Sequence, residues 1–281
     1  MKLDYQRIVI TGAAGGIGRA LTGALARRGA RLGLLVRRPE SGGVPDEAGA
    51  DTLVLTCDVT DAGDRQAALQ AVNDRWGGAD VLINLAGVMD FSRYDSQDPE
   101  AVARMVAVNL EAPMLMTRTF LPAMVERGAG HVVNVGSMFG SIGFPGFAAY
   151  AATKFGLRGF SQALRRELAD TGVRVTHVSP RAVNTAFNPP VVQEMTAAGI
   201  MHMDPPERVA RAIVKALEKG RKEVYLGFPE SLFARINGLL PGVIDRGLAR
   251  QTPTINAYAA ARDRVPGGEP GRVMPVEDRR G

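Results

Sequence analysis

The chain has 281 residues, 46% of them apolar, enough for one large domain with a substantial core. No apolar run reaches the ~18 residues of a membrane span, the opening MKLDYQRIVITG lacks the basic, apolar and small-residue series of a signal peptide, and the single cysteine, Cys57, excludes an intrachain disulfide; together these predict a cytoplasmic protein. The net charge of +5 comes with arginines spread along the chain, which suits anionic small molecules; with no helix-turn-helix, zinc-finger or RNA-binding signature, nucleic acid is not an expected partner.

RIVITG, Arg7 to Gly12, is a short apolar run closed by glycine and reads as a buried strand. GIGRALTGALARRGA follows, with Ile17, Leu21 and Leu25 at helical spacing and Gly29 as a stop. RLGLLVRR and DTLVLTCDVT are the next strands. A helix from about Ala62 to Trp76 leads to the strand DVLINLAG, and one long helix is predicted from about Pro99 to Arg127. The strand GHVVNVGS, a helix from Tyr150 to Ala169, the strand VRVTHVSP, a long loop, the helix PPERVARAIVKALEKG and the strand EVYLG complete the alternation. Apolar strands alternating with helices predict a parallel sheet covered on both faces, an α/β doubly wound Rossmann-type domain over residues 1–229. Residues 230–261 read as an amphipathic extension, and 262–281, rich in Gly, Pro and charge, as a flexible tail.

Three stretches carry chemistry. TGAAGGIG places Gly12, Gly16 and Gly18 at the first strand-to-helix turn, where glycine lets a backbone approach a pyrophosphate and a helix start offers unpaired N–H groups. The second strand ends LLVRRPE: Val36 stands where a ribose-binding carboxylate is expected, and Arg37 and Arg38 follow, which suits the 2′-phosphate of NADP(H), with Arg37 the better candidate. AYAATKFG sets Tyr150 four residues before Lys154, on one helix face among small residues.

Taken in order, TGAAGGIG, CDVT, NLAG, VNL, NVGS and YAATK resemble the short-chain dehydrogenases/reductases over about residues 5 to 230. The resemblance implies a carbonyl–alcohol oxidoreductase using NADP(H), with no metal. Gly12, Gly16, Ile17 and Gly18 would cradle the cofactor, Asp58 would meet the adenine with Val59 beside it, and Asn84, Ala86, Gly87, Pro180, Val183 and Thr185 would complete its site. Tyr150 would be the general acid or base, its pKa lowered by the Lys154 ammonium, which would also hold the nicotinamide ribose. Ser137 would hydrogen-bond the substrate oxygen, and Asn109 would anchor a water linking Lys154 to solvent. A homodimer or homotetramer is implied, through the helices carrying Asn109 and Tyr150. The chain departs from the family where Leu85 replaces an asparagine, where Gly15 replaces a basic residue, and in PRAVNT, where Arg181 replaces a glycine and would face either substrate or solvent. A nucleotide-sugar epimerase and a non-catalytic NADP sensor are the alternatives; the chain lacks the larger substrate domain of the first and keeps the Tyr and Lys that the second tends to lose.

The segments Val88–Tyr94, Met138–Phe147 and Asn184–Met203 would line a substrate cleft beyond the strand ends. They carry Met89, Phe91, Phe139, Phe144, Phe147, Phe187, Met195 and Met201; the candidate substrate contacts are Met89, Phe139, Phe144 and Phe187. An apolar pocket follows, for a ketone or a 3-oxoacyl type of substrate. The third segment is expected to be a lid-like loop. In the extension, Leu232, Phe233, Ile236, Leu239, Leu240, Val243, Ile244 and Leu248 form an apolar stripe that could cap the substrate cleft, enter a dimer contact or rest on a membrane surface, with packing on its own protein the expected outcome.

Overall fold

The computed structural model describes residues 1–37, 49 and 51–263. Seven parallel strands form one sheet: β1 (Arg7–Thr11), β2 (Arg31–Val36), β3 (Thr52–Thr56), β4 (Val81–Asn84), β5 (Gly130–Val135), β6 (Val173–Ser179) and, after the small parallel pair β7 (Ala182–Val183) and β8 (Met203–Asp204), β9 (Glu223–Tyr225). Their order is β3-β2-β1-β4-β5-β6-β9, and it reverses direction between β1 and β4. At such a switch point the crossovers leave to opposite faces and open a crevice at the carboxyl ends of the strands.

Side-chain alternation explains why these strands read as unbroken apolar runs. Ile8 and Ile10 of β1, Leu32 and Leu34 of β2, and Val81 and Ile83 of β4 face one layer, made by α1 (Gly16–Ala26) and α7 (Pro206–Lys219). Val9, Leu35 and Leu82, the intervening residues, face the other layer. That layer holds α2 (Ala62–Trp76), α4 (Ala112–Glu126) and α5 (Ala148–Glu167). With both faces covered, period 2 is present in the packing and invisible in the composition. Helix ends follow their sequence signals: the Asp61 carboxylate accepts from the Asp64 N–H at the start of α2, and Gly77 and Gly220 close α2 and α7 in the left-handed conformation.

Two expectations change. The single helix predicted from Pro99 to Arg127 is α3 (Pro99–Val106), a π-helical turn over Ala107–Glu111, and then α4. A π turn widens the hydrogen-bond ladder without any change in apolar spacing, so the pattern alone reads as one helix. The expected lid-like loop contains α6 (Pro190–Ala197), and β7 and β8 pair at its base. The chain continues as α8 (Glu230–Leu239), α9 (Pro241–Ala249) and α10 (Thr252–Asp263). Ile255 and Ala259 of α10 are fully buried beside Phe91, Phe147, Val192 and Met195, so this helix fastens the extension to α6. It also runs into the first residues of the stretch expected as a tail, of which residues 264–281 lie outside the described part. No helix among the described residues is long and apolar enough to cross a membrane.

Candidate active site

A cleft of about 970 Å³ lies over the carboxyl ends of the central strands. One wall is backbone. Gly12 has φ +67, and a Cβ there would lie 2.8 Å from the Ala86 Cα. A Cβ on Gly16 would lie 2.4 Å from the Thr185 Cγ2, and one on Gly18 2.5 Å from the carbonyl oxygens of Gly12 and Ala13. α1 starts there with no side-chain cap and no acidic residue in its first turn, so its amide groups are left for a ligand anion. Ile17, Asp58, Val59, Ala86, Gly87, Pro180, Val183 and Thr185 lie along the same wall.

These residues fit a nicotinamide dinucleotide. Val36 is packed into the core at 1% exposure, so Arg37 is the side chain that leaves β2 at the cleft; Arg38 lies outside the described residues. The Asp58 carboxyl is held below its usual range by hydrogen bonds from Thr60, the positive charge of Arg37 adding to this. Thr11, which the motif reading passed over, accepts at 3.0 Å from the N–H groups of both Leu85 and Ala86 and so joins the ends of β1 and β4. Its place immediately before Gly12 was the only signal. Leu85 packs against the core beneath α1 and α7.

Asn84 stands behind the cleft wall, not on it. Its amide donates to Asn134 Oδ1 at 2.8 Å and Thr117 Oγ1 at 3.1 Å; Asn134 donates to Ser161 Oγ at 2.9 Å, which meets His177 Nδ1 at 3.2 Å. This fully buried chain crosses β4, β5 and β6 in register, and it makes Asn84 a support for the strands rather than a cofactor contact. Asn109, 1% exposed, is carried by the π turn; its amide accepts from the Val88 N–H and donates to the Val88 carbonyl, each at 2.8 Å. Its side chain therefore positions the irregular segment that follows Gly87.

Ser137, Tyr150 and Lys154 come together at the floor of the cleft. The Ser137 hydroxyl accepts from the Phe139 N–H at 3.1 Å. The Lys154 Nζ donates to the Val135 carbonyl at 3.3 Å and lies 5.7 Å from the centre of the Tyr150 ring. Burial pushes the Tyr150 phenol up to about 12 against the pull of Ser137, and burial brings the Lys154 ammonium down to about 8. The expected lowering of the tyrosine by the lysine is not found in the protein by itself, because both groups sit in one desolvated pocket and each loses hydration on charging.

The other wall is apolar. Met89, Phe139, Phe144 and Phe187 line it as expected. Phe139 stacks on Phe144 with ring centres 5.2 Å apart, and Phe139 and Phe187 stand 6.5 and 6.4 Å from Tyr150. Phe147 and Met201 also reach the cleft, whereas Phe91 and Met195 are fully buried in the core that seats α6 and α10. The far end is closed by Phe233, Ile236, Val243, Ile244 and Leu248 of α8 and α9. Capping of the cleft is one of the readings that the apolar stripe allows, and these residues take that place.

Arg181, at the edge of the cleft, is held in an ion-pair cluster instead of pointing to solvent. Its guanidinium donates to Asp204 at 2.8 Å and to Glu230 at 3.3 Å, and Arg208 reaches the same Asp204 oxygen at 2.8 Å. Asp204 is 1% exposed, so its charge is balanced by two cations. The cluster ties the base of the α6 segment to the start of α8. Asn188, unmarked in the sequence, donates at 2.5 Å to the Val183 carbonyl and holds the same segment from inside.

A glycine turn at the switch point, with Ser137, a tyrosine and a lysine one helical turn apart at its floor, agrees with the sequence pattern of the short chain dehydrogenase family, which matches residues 6–196. The chain belongs to the short-chain dehydrogenase/reductase family. It is 30% identical over 220 residues to 3-oxoacyl-(acyl-carrier-protein) reductase of Vibrio harveyi, covering 76% of this chain and 90% of that protein. It is 32% identical over 262 residues to dehydrogenase/reductase SDR family member 7B of Bos taurus, covering 86% of this chain and 80% of that protein. Among solved structures it is similar to a short chain dehydrogenase from Burkholderia cenocepacia in complex with NADP, with a TM-score of 0.76, 28% identity and coverage of 88% of this chain and 99% of that one. It is also similar to a 3-ketoacyl-(acyl-carrier-protein) reductase from Brucella melitensis complexed with NADH, with a TM-score of 0.75, 26% identity and coverage of 82% and 99%. As a family member the chain is an oxidoreductase of this type, built to take a nicotinamide cofactor.

Proposed function

We propose that this chain is an NADP(H)-dependent reductase that interconverts an apolar ketone, of simple or 3-oxoacyl type, and its secondary alcohol, with Tyr150 moving the proton. The observation that carries this is the meeting of Tyr150, Ser137 and Lys154 at the floor of a cleft whose one wall is glycine backbone and whose other wall is aromatic and aliphatic. The bound nicotinamide supplies or accepts the hydride. With its pKa near 12, Tyr150 holds its proton at neutral pH and has it ready for the oxygen of a carbonyl under reduction. Ser137 takes its own hydrogen bond from the Phe139 backbone and so keeps its proton to donate to the same oxygen. Lys154, anchored to the Val135 carbonyl, would have its remaining protons free to hold the ribose hydroxyls of the cofactor. Arg37 is the candidate partner of the 2′-phosphate. The phenylalanines and the α8–α9 wall exclude water and favour substrates with a long or bulky apolar part. Met114 and Phe155, exposed on α4 and α5, support a contact between copies of the chain along those helices.

The test is a panel of ketones of increasing apolar size, offered with NADPH while its absorbance is followed. Turnover that rises with apolar size and vanishes in Tyr150→Phe is the expected result. Tight NADPH binding with no turnover of any ketone, in either direction, would favour the sensor reading instead.

A further inference from the structure

Helices α8 and α9 have a second face that the cleft does not use. Four large apolar side chains that take no part in lining the cleft are exposed within residues 228–240: Phe228, Leu232, Leu239 and Leu240. Leu239 and Leu240, at 82% and 61% exposure, crown the turn between the two helices, and Phe228 stands at 77% beside the start of α8. Such a cluster on a folded domain marks a surface that meets something else.

The charges around it say what. On α8, Leu232, Arg235 and Leu239 lie at i, i+3 and i+7, one outward stripe; Arg246 on α9 and Arg250 just after it lie at i and i+4, and all three arginines are exposed. From 231 to 251 the only acid is Asp245. Leucines projecting at a helix turn, with arginines able to snorkel beside them, make an interfacial pair of helices suited to a lipid surface with anionic headgroups. A second copy suits the face less well, because a two-fold contact would set its arginine stripes against each other. The inner faces of the same helices, through Phe233, Ile236, Ile244 and Leu248, line the cleft that leads to Tyr150.

We infer that the outer face of α8 and α9 rests on an anionic membrane surface and delivers apolar molecules from the lipid to the cleft behind it. The binding part of this inference stands whether or not the cleft reduces a ketone. The test is co-sedimentation of the full chain with phosphatidylcholine vesicles, with and without phosphatidylserine. Anionic lipid is expected to tighten binding by about tenfold or more, and added salt to weaken it. The variant L239E/L240E should bind at least about tenfold more weakly, and R235Q/R246Q should lose the preference for phosphatidylserine. Both pairs are exposed, so unchanged thermal midpoints and cofactor binding will show that the variants are folded. Failure of the wild type to pellet with either vesicle overturns the inference. So does an L239E/L240E protein that falls to half its mass in vesicle-free buffer, since a second copy would then be the occupant.

Discussion

The two walls of the cleft are made in different ways. The cofactor wall is backbone: Gly12, Gly16 and Gly18 sit where a Cβ would strike Ala86, Thr185 or the turn itself, and Thr11 fastens two amide groups with one hydroxyl. The substrate wall is side chains gathered from residues 88 to 251, most of them replaceable by other apolar groups of similar bulk. The first wall tolerates few residue types and is recognisable as a motif. The second is defined by shape, and shape belongs to the assembled fold.

Substitutions on each wall should therefore fail differently. The largest effect is expected at the floor between them, where Tyr150→Phe keeps the ring and removes the transferable proton: turnover should fall by about 10² or more with NADPH affinity retained. Near wild-type turnover in that variant would remove Tyr150 from the mechanism. At the far end of the cofactor wall, Arg37→Gln should weaken NADPH by about tenfold to a hundredfold and leave NADH unchanged, since a charge-assisted contact to phosphate is worth about 1.5–3 kcal/mol. Titration of both cofactors at one ionic strength checks this, and equal losses for the two would show that Arg37 does not read the phosphate.

A direct comparison of the walls pairs Gly16→Ala with Ile236→Val. The added methyl must displace Thr185, an overpacking worth roughly 1–3 kcal/mol and so about a tenfold loss of cofactor affinity. The removed methyl at Ile236 should leave cofactor binding alone and shift only the ranking of bulky ketones. Similar losses of cofactor affinity in both would erase the distinction drawn here.

Lys154 sharpens the contrast from the side of stability. The unfolded chain keeps a lysine proton to about 10.4, and the folded chain keeps this one only to about 8. The fold thus disfavours the ammonium, a penalty fully present below pH 8 and relieved as pH rises toward the unfolded value. Lys154→Met should raise the melting midpoint at neutral pH, by roughly 2–4 °C for each kcal/mol relieved, while turnover collapses. The gain should shrink above pH 8; a gain that does not depend on pH would mean that packing, not charge, is its source. The smallest effect is expected at the clamp between the walls: a double-mutant cycle with Arg181→Met and Glu230→Gln should show a coupling of roughly 1 kcal/mol by thermal or denaturant unfolding. No coupling would leave Arg181 to Asp204 alone.

The sequence by itself determined the doubly wound sheet, the glycine turn and the Tyr150–Lys154 pair, because each rests on a local rule: strand and helix periods, glycine at crowded backbone, and i, i+4 stacking on one helix face. It also marked six aromatic or sulfur side chains that reach the cleft, since they lie just beyond strand ends. Tertiary structure alone decided the rest. The π turn that aims Asn109 at Val88 changes the hydrogen-bond ladder without changing the apolar pattern. Asn84 looks like a cofactor residue in NLAG, yet register across β4, β5 and β6 gives its amide to Asn134 and Thr117. Arg181 finds partners 23 and 49 residues away. The pKa values of Tyr150 and Lys154 depend on how much water the closed cleft removes, a quantity that exists only once residues from opposite ends of the chain have packed around them.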